Sequence, residues 1–232
     1  MHEGEKIVKY ADLKQAAWEA NMELYRRNLV LYTWGNVSQI DRDAGVFAIK
    51  PSGVPYEKLT VDDIVVVDLE NRVVEGSLNP SSDTRTHTHL YLHFEGIGGV
   101  THTHSTYATA WAQAQQAIPC FGTTHADYAY GEIPCTAIMS NEQINRDYEE
   151  ETGVQITDAF QNREPSETPM VIVAGHAPFT WGKDAAESVY NAVVLEEIAR
   201  MALLTKTIDP QREPLKQEIV DKHYQRKHGK NA

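Results

Sequence analysis

The 232-residue sequence predicts a single α/β domain with a mixed, largely antiparallel sheet flanked by helices. Three observations predict it. Short runs rich in valine and isoleucine alternate with tight turns, the pattern of an antiparallel meander. Longer segments carry apolar residues at helical spacing. No repeat, low-complexity block or linker interrupts the chain, so residues 1–232 read as one domain, long enough to bury a real core.

The elements follow in order. Residues 11–27 place Leu13, Ala16, Ala17, Ala20 and Leu24 on one helical face. Leu29 to Thr33 reads as a strand that runs into a small polar loop, Trp34-Gly35-Asn36-Val37-Ser38. Val46 to Lys50 and Ile64 to Leu69 are further strands, with Val73-Val74 after a turn. Asn79 to Thr86 reads as a loop feeding a helix over 86–94, with Ser82, Asp83 or Thr84 able to cap it. A strand ending in His102-Thr103-His104 follows, then a small-residue helix from Thr106 to Ala114. Residues 141–161 predict an acidic helix, Met170 to Ala174 a buried strand, and 184–206 a long helix. The segment from Pro214 to His228 predicts a helix too polar to form a core alone, which suits packing at a subunit interface.

The formal net charge of −12 argues against nucleic-acid binding, which needs a basic face. No run of about 18 apolar residues appears, so no membrane span is expected. Met1 to Lys6 shows no apolar leader. With only Cys120 and Cys135, a disulfide framework is not expected and a reducing cytoplasm is.

Gly98 to Ser105 is the chemical centre of the sequence. In an extended strand residues i and i+2 point to one side, so His102 and His104 can converge on a cation. Two half-buried histidines bonded to backbone would fit the same pattern. His176 follows an apolar strand and a glycine, at a strand end where a third ligand could sit. Gly35-Asn36, Pro51-Ser52-Gly53 and Pro80-Ser81-Ser82 are small loops able to present hydroxyls and N–H groups to phosphate, although each is also ordinary turn chemistry. Lys50 adds a cation beside the second loop. His89 and His93 have zinc spacing on a helix, but no HExxH acid accompanies them, so they read as surface or interface histidines. Asp127, in a polar loop with His125, is a candidate general base or a turn residue. There is no GxxxxGK[ST], no GxGxxG opening a helix and no GxSxG, which sets aside P-loop, nicotinamide and serine-hydrolase chemistry.

Trp34 to Ser38, Lys50 to Gly53, Pro80 to Asp83, His102 to His104, Gly122 to Asp127 and Gly175-His176 stand in one order that resembles the class II aldolase/epimerase family. The resemblance runs from about residue 12 to residue 230. It implies a divalent metal, usually Zn2+ with Mn2+ or Co2+ as substitutes, held by His102, His104 and His176 with Asp83 beside them. It implies that Asn36, Lys50, Ser52, Gly53, Ser81, Ser82 and Thr123 serve the substrate phosphate. Asp127 would be a catalytic acid/base, assisted by His223 and Glu149. A homotetramer with sites at subunit interfaces is also implied. Asp83, where the aldolases carry glutamate, and the Asp221–Tyr224 and Arg226–Gly229 segments are similar to the epimerase branch. That branch interconverts L-ribulose 5-phosphate and D-xylulose 5-phosphate, and the alternative is a fuculose-1-phosphate-type aldolase. Two departures stand out: Arg85 replaces a usual proline, and Lys230-Asn231-Ala232 holds no counterpart of the epimerases' tail tyrosine.

The chemistry of such a reaction is constrained. The C4 hydrogen of a 2-ketose is not acidic, so simple deprotonation cannot invert C4. With no nicotinamide motif, cleavage and re-formation of the C3–C4 bond is the expected route.

Overall fold

A seven-stranded sheet in the order β4-β3-β2-β1-β5-β7-β6 organises the computed structural model. Residues 9–229 are described, and the readings made on Met1–Lys6 and on Lys230–Ala232 lie outside them. The strands are β1 (Asn36–Asp41), β2 (Val46–Ile49), β3 (Val65–Asp68), β4 (Val73–Glu75), β5 (Gly99–His102), β6 (Met170–Ile172) and β7 (Pro178–Gly182). Every pairing between them is antiparallel, and the isolated Cys135–Ile172 bridge is parallel. The helices are α1 (Ala11–Arg26), α2 (Thr84–His93), α3 (Thr106–Gln113), α4 (Thr123–Ala126), α5 (Asn141–Arg146), α6 (Tyr148–Ala159), α7 (Ala185–Ile208) and α8 (Gln217–His228). Among the described residues no helix is long and apolar enough to cross a membrane.

Strand alternation builds two cores. Val46, Ala48 and Val66 face α1 and α7, while Phe47, Ile49, Val65 and Val67 face α2 and α6. Both faces are covered, which is why these strands read as unbroken apolar runs. Gly98 lets the start of β5 pass the entry to α7, since a Cβ there would lie 1.9 Å from the Lys183 carbonyl oxygen.

Several expectations need correction. Leu29 to Thr33 forms no strand. Leu29 and Val30 are buried, but the chain turns at Tyr32 (φ 54°), and Leu31 and Tyr32 point outward. The next stretch is not all loop, because Asn36–Ser38 already belongs to β1. The acidic helix is two helices, broken at Asp147, whose extended backbone (φ −162°) and side chain cap α6. β7 was not anticipated. Its proline and glycine sit at its two ends, where a strand tolerates them. The helix over 214–228 exists as α8 over Gln217–His228; Val220 packs it against Ala126 of α4 in its own chain, and the Tyr224 ring lies against that of Tyr130.

Candidate functional site

Most of the candidate residues meet at one end of the sheet. Asn36, at the start of β1, is the cross-strand partner of His102 at the end of β5, and His102 in turn faces Phe179 of β7. His104 lies two residues on, past the strand end, and His176 lies in the turn between β6 and β7. Gly35 is required where it stands. Its φ is +73°, and a Cβ would come within 2.7 Å of the His102 carbonyl oxygen. The tryptophan-glycine-asparagine run is thus what lets β1 start flush against the ligand strand.

The three imidazoles offer one nitrogen each within 4.8 Å of one another. The Nε2 atoms of His102 and His104 are 3.1 Å apart. His102 Nδ1 lies 2.9 Å from the Pro178 carbonyl, which can only accept, so Nδ1 carries the proton and Nε2 presents its lone pair. Burial pushes all three pKa values down, that of His176 to about 4, so the rings are neutral near pH 7. His176 Nδ1 is buried without a hydrogen-bond partner among the described residues. Three neutral imidazoles with converging nitrogens and an orphaned nitrogen fit a divalent cation of the zinc type.

Asp83 completes this wall. It occupies the N-cap position of α2, yet its side chain makes no capping bond. Its Oδ2 accepts from Asn36 Nδ2 at 2.6 Å and stands 3.9 Å from His102 Nε2. Burial opposes its ionisation, but His102, His87 and Asn36 together hold its carboxyl below the usual range. The expected cap is therefore a carboxylate turned into the site, and Thr84 Oγ1 bonds back to the Ser81 carbonyl instead.

A cavity of about 530 Å³ opens in front of these groups, lined by Asn36, Lys50, Ser52, Gly53, Ser81, Ser82, Asp83, His102, His104, His176 and Glu149. The two small loops are tied together: Ser52 N–H donates to the Asn79 carbonyl, and Ser81 N–H to that of Lys50. Lys50 is fully buried, and burial lowers its pKa to about 8. Its ammonium bonds the Pro51 carbonyl at 3.3 Å and lies over the Tyr56 ring.

The remaining expected residues are elsewhere. Asp127, Thr123 and His223 do not line this cavity. Asp127 caps the end of the short helix α4 rather than lying in an open loop. His223 Nδ1 is 3.0 Å from its Oδ1, Arg226 donates at 3.1 Å, and His228 donates to its backbone carbonyl. Burial works against the Asp127 charge, and His223 with Arg226 outweighs it, leaving its pKa low. His89 and His93 stack on each other with ring centres 3.9 Å apart, and His89 Nε2 lies 3.2 Å from Thr157 Oγ1. Tyr148 also lines the cavity and was not picked out from sequence; its place beside Glu149 at a helix start was the only clue.

The sequence matches the class II aldolase and adducin N-terminal domain family over residues 15–203. The chain belongs to this family. It is 54% identical over 220 residues to the L-ribulose-5-phosphate 4-epimerase UlaF of Salmonella paratyphi B, covering 95% of this chain and 96% of that one. Among solved structures it is similar to an L-fuculose 1-phosphate aldolase, with a TM-score of 0.80 at 24% identity over 93% of this chain and 95% of that one. The L-fuculose 1-phosphate aldolase of Glaciozyma antarctica PI12 gives 0.75 at 18% identity, over 94% and 82%. At such identities these structures speak to the fold alone.

Proposed function

We propose that this chain is a metal-dependent L-ribulose-5-phosphate 4-epimerase. The observation that carries the reading is the 54% identity to such an epimerase along almost the whole of both chains. The site supports it chemically. His102, His104 and His176 would hold the cation, with Asp83 adjusting its charge from beside. When bound, the cation supplies Lewis acidity where retro-aldol cleavage develops negative charge.

This chain's own groups do the rest. The hydroxyls of Ser52, Ser81 and Ser82 and the N–H groups of Gly53 and Ser82 hold the phosphate, with Asn36 and the ammonium of Lys50 completing the cradle. Cleavage of the C3–C4 bond yields the enediolate of dihydroxyacetone and glycolaldehyde phosphate. A fixed phosphate keeps the aldehyde from leaving while it turns its other face, and closure inverts C4. Glu149 is a carboxylate at the cavity wall able to move a proton of the substrate. Asp127, poised by His223, is the acid/base for the aldehyde oxygen, with Thr123 near it on α4. Since that cluster lies outside the cavity of its own chain, we place it at the cavity of a neighbouring copy in a homotetramer. Zn2+ is the metal of this reading, with Mn2+ or Co2+ as substitutes. Two unpaired cysteines support a reducing, cytoplasmic setting.

The test is to supply L-ribulose 5-phosphate with Zn2+, Mn2+ or Co2+ and follow D-xylulose 5-phosphate. Its formation is the expected result. Release of free glycolaldehyde phosphate, or of dihydroxyacetone phosphate from a 1-phosphate sugar, would point to an aldolase, and no turnover of L-ribulose 5-phosphate with any of the three metals would sink the epimerase reading.

A further inference from the structure

Lys50 carries a charge that no acid answers. The residue is buried, and no ion pair among the described residues includes it. Its ammonium has one hydrogen bond among them, the long one to the Pro51 carbonyl. A buried charge left so is costly unless something else meets it. What meets it is a ring: Nζ lies 4.8 Å from the centroid of Tyr56, over its face. A ring face attracts a cation through its quadrupole, and more strongly where water is excluded. Unlike a carboxylate, it leaves the positive charge in place for an anion.

Tyr56 is itself held firmly. It opens a short helical turn, Tyr56–Lys58, and its side chain is fully buried in the core under α1. The Tyr25 ring of α1 stacks parallel to it with centres 6.0 Å apart. Its backbone N–H donates to the Tyr32 carbonyl at 3.3 Å. Its one O–H faces two acceptors, the Gly35 carbonyl at 3.0 Å and the Trp34 carbonyl at 3.2 Å. Those carbonyls lead directly into Asn36, whose Nδ2 donates to Ser81 Oγ at 2.9 Å and to Asp83. One buried side chain thus touches two loops of the cradle, with its face at Lys50 and its tip at the turn before Asn36. Tyr56 lines no part of the cavity, so whatever it does there it does through these neighbours.

We propose that Tyr56 is a positioning residue of the phosphate cradle: its ring face holds the Lys50 ammonium at the cavity wall without neutralising it, and its hydroxyl ties the Trp34–Gly35 turn, and so Asn36, to the same point. The proposal rests on reading Lys50 and Asn36 as phosphate ligands. It adds that the cradle's charge is kept available by an aromatic ring that never meets the substrate.

The experiment measures binding of inorganic phosphate to the full chain by calorimetry, with circular dichroism reporting the fold. Tyr56→Phe keeps the ring and removes the hydroxyl, and should weaken phosphate by roughly two- to ten-fold. Phenylalanines of increasing ring fluorination at the same position keep the shape and drain the ring face of negative potential. Affinity should fall stepwise with fluorine content, by roughly ten-fold more at the end of the series. A part played only in packing would not follow that order. In turnover of L-ribulose 5-phosphate the same series should raise KM with kcat little changed, the mark of lost ground-state binding. Folded proteins whose phosphate affinity is flat across the series overturn the proposal. If the phenylalanine variants do not fold, ring-fluorinated tyrosines, which keep the hydroxyl, carry the same test, and a flat affinity there overturns it. Lys50→Met is the control: if it binds phosphate as the parent does, the cradle reading has failed and the proposal with it. A loss in Lys50→Met beside a flat fluorine series overturns the role of Tyr56 alone.

Discussion

The two acid-bearing regions of the molecule are built on opposite principles. The first, around Asp83 and the three histidines, is made of strand ends and the start of α2, with His102 tied to the backbone of Pro178 and Asp83 to Asn36. The second, around Asp127, is made of a four-residue helix and a mostly polar one lying on the outside. There Asp127 is held by His223 and Arg226, and the guanidinium is largely exposed. The first region has a cavity in front of it and the second has none of its own chain's cavity. A group that must hold a cation gains from rigidity. A group that must reach a reacting atom can be carried by a separate element and supplied at an interface.

The sharpest way to break this contrast is His102→Ala. It should abolish metal binding and epimerisation while the circular dichroism spectrum is retained, and full metal occupancy by elemental analysis would contradict the ligand assignment. Asp127→Asn should keep the metal but slow turnover by about 10²–10⁴-fold, the usual worth of a positioned acid/base. Loss of metal in that variant would merge the two regions. Mixing the two inactive proteins under conditions that exchange subunits sharpens the point. If each site draws on two copies, activity should return to about a quarter of the parent's in an equal mixture; none would place both regions in one chain's site.

Acid bears on the stability of both regions, since burial holds histidines of each below their ordinary pKa. His125, buried in α4, has its pKa pushed down to about 4 by burial. The folded protein therefore refuses a proton that the unfolded chain accepts below its ordinary value near 6.5. Stability is full above that value and is lost as pH falls toward 4, by roughly 3 kcal/mol for this one group. Denaturant melts of the metal-free protein across that window should show the fall, and His125→Gln should make it shallower by this group's share, with His176 still contributing. The smallest effect expected is that of Arg85→Ala. Arg85 pairs with Asp147 between the first turns of α2 and α6, but it is exposed, so the loss in chemical denaturation should stay within about 1 kcal/mol.

The first region was legible in the sequence because its parts are local words. A histidine pair two apart in a strand, small loops and a strand-end histidine each carry their geometry with them. What was not legible depended on distant partners. Asp83 looks like a helix cap until Asn36, far along the chain, claims its oxygen. Leu29 to Thr33 has strand composition, yet the turn at Tyr32 hands the role to the next residues. β7 was hidden because its ends carry a proline and a glycine. The second region was legible as residue types, but nothing in a single chain says which cavity Asp127 serves.

One feature of the fold bears on how the metal would arrive. His102 hangs between β1 and β7 in the interior of the sheet, with its Nδ1 hydrogen bonded to the backbone of Pro178. Interior strands are the last parts of a domain to open. The ring orientation is thus set when the chain folds, before any cation is met. A cation loading there would meet this nitrogen already aimed. A cation held there would keep this ligand for as long as the sheet holds, since the ring is fixed between interior strands.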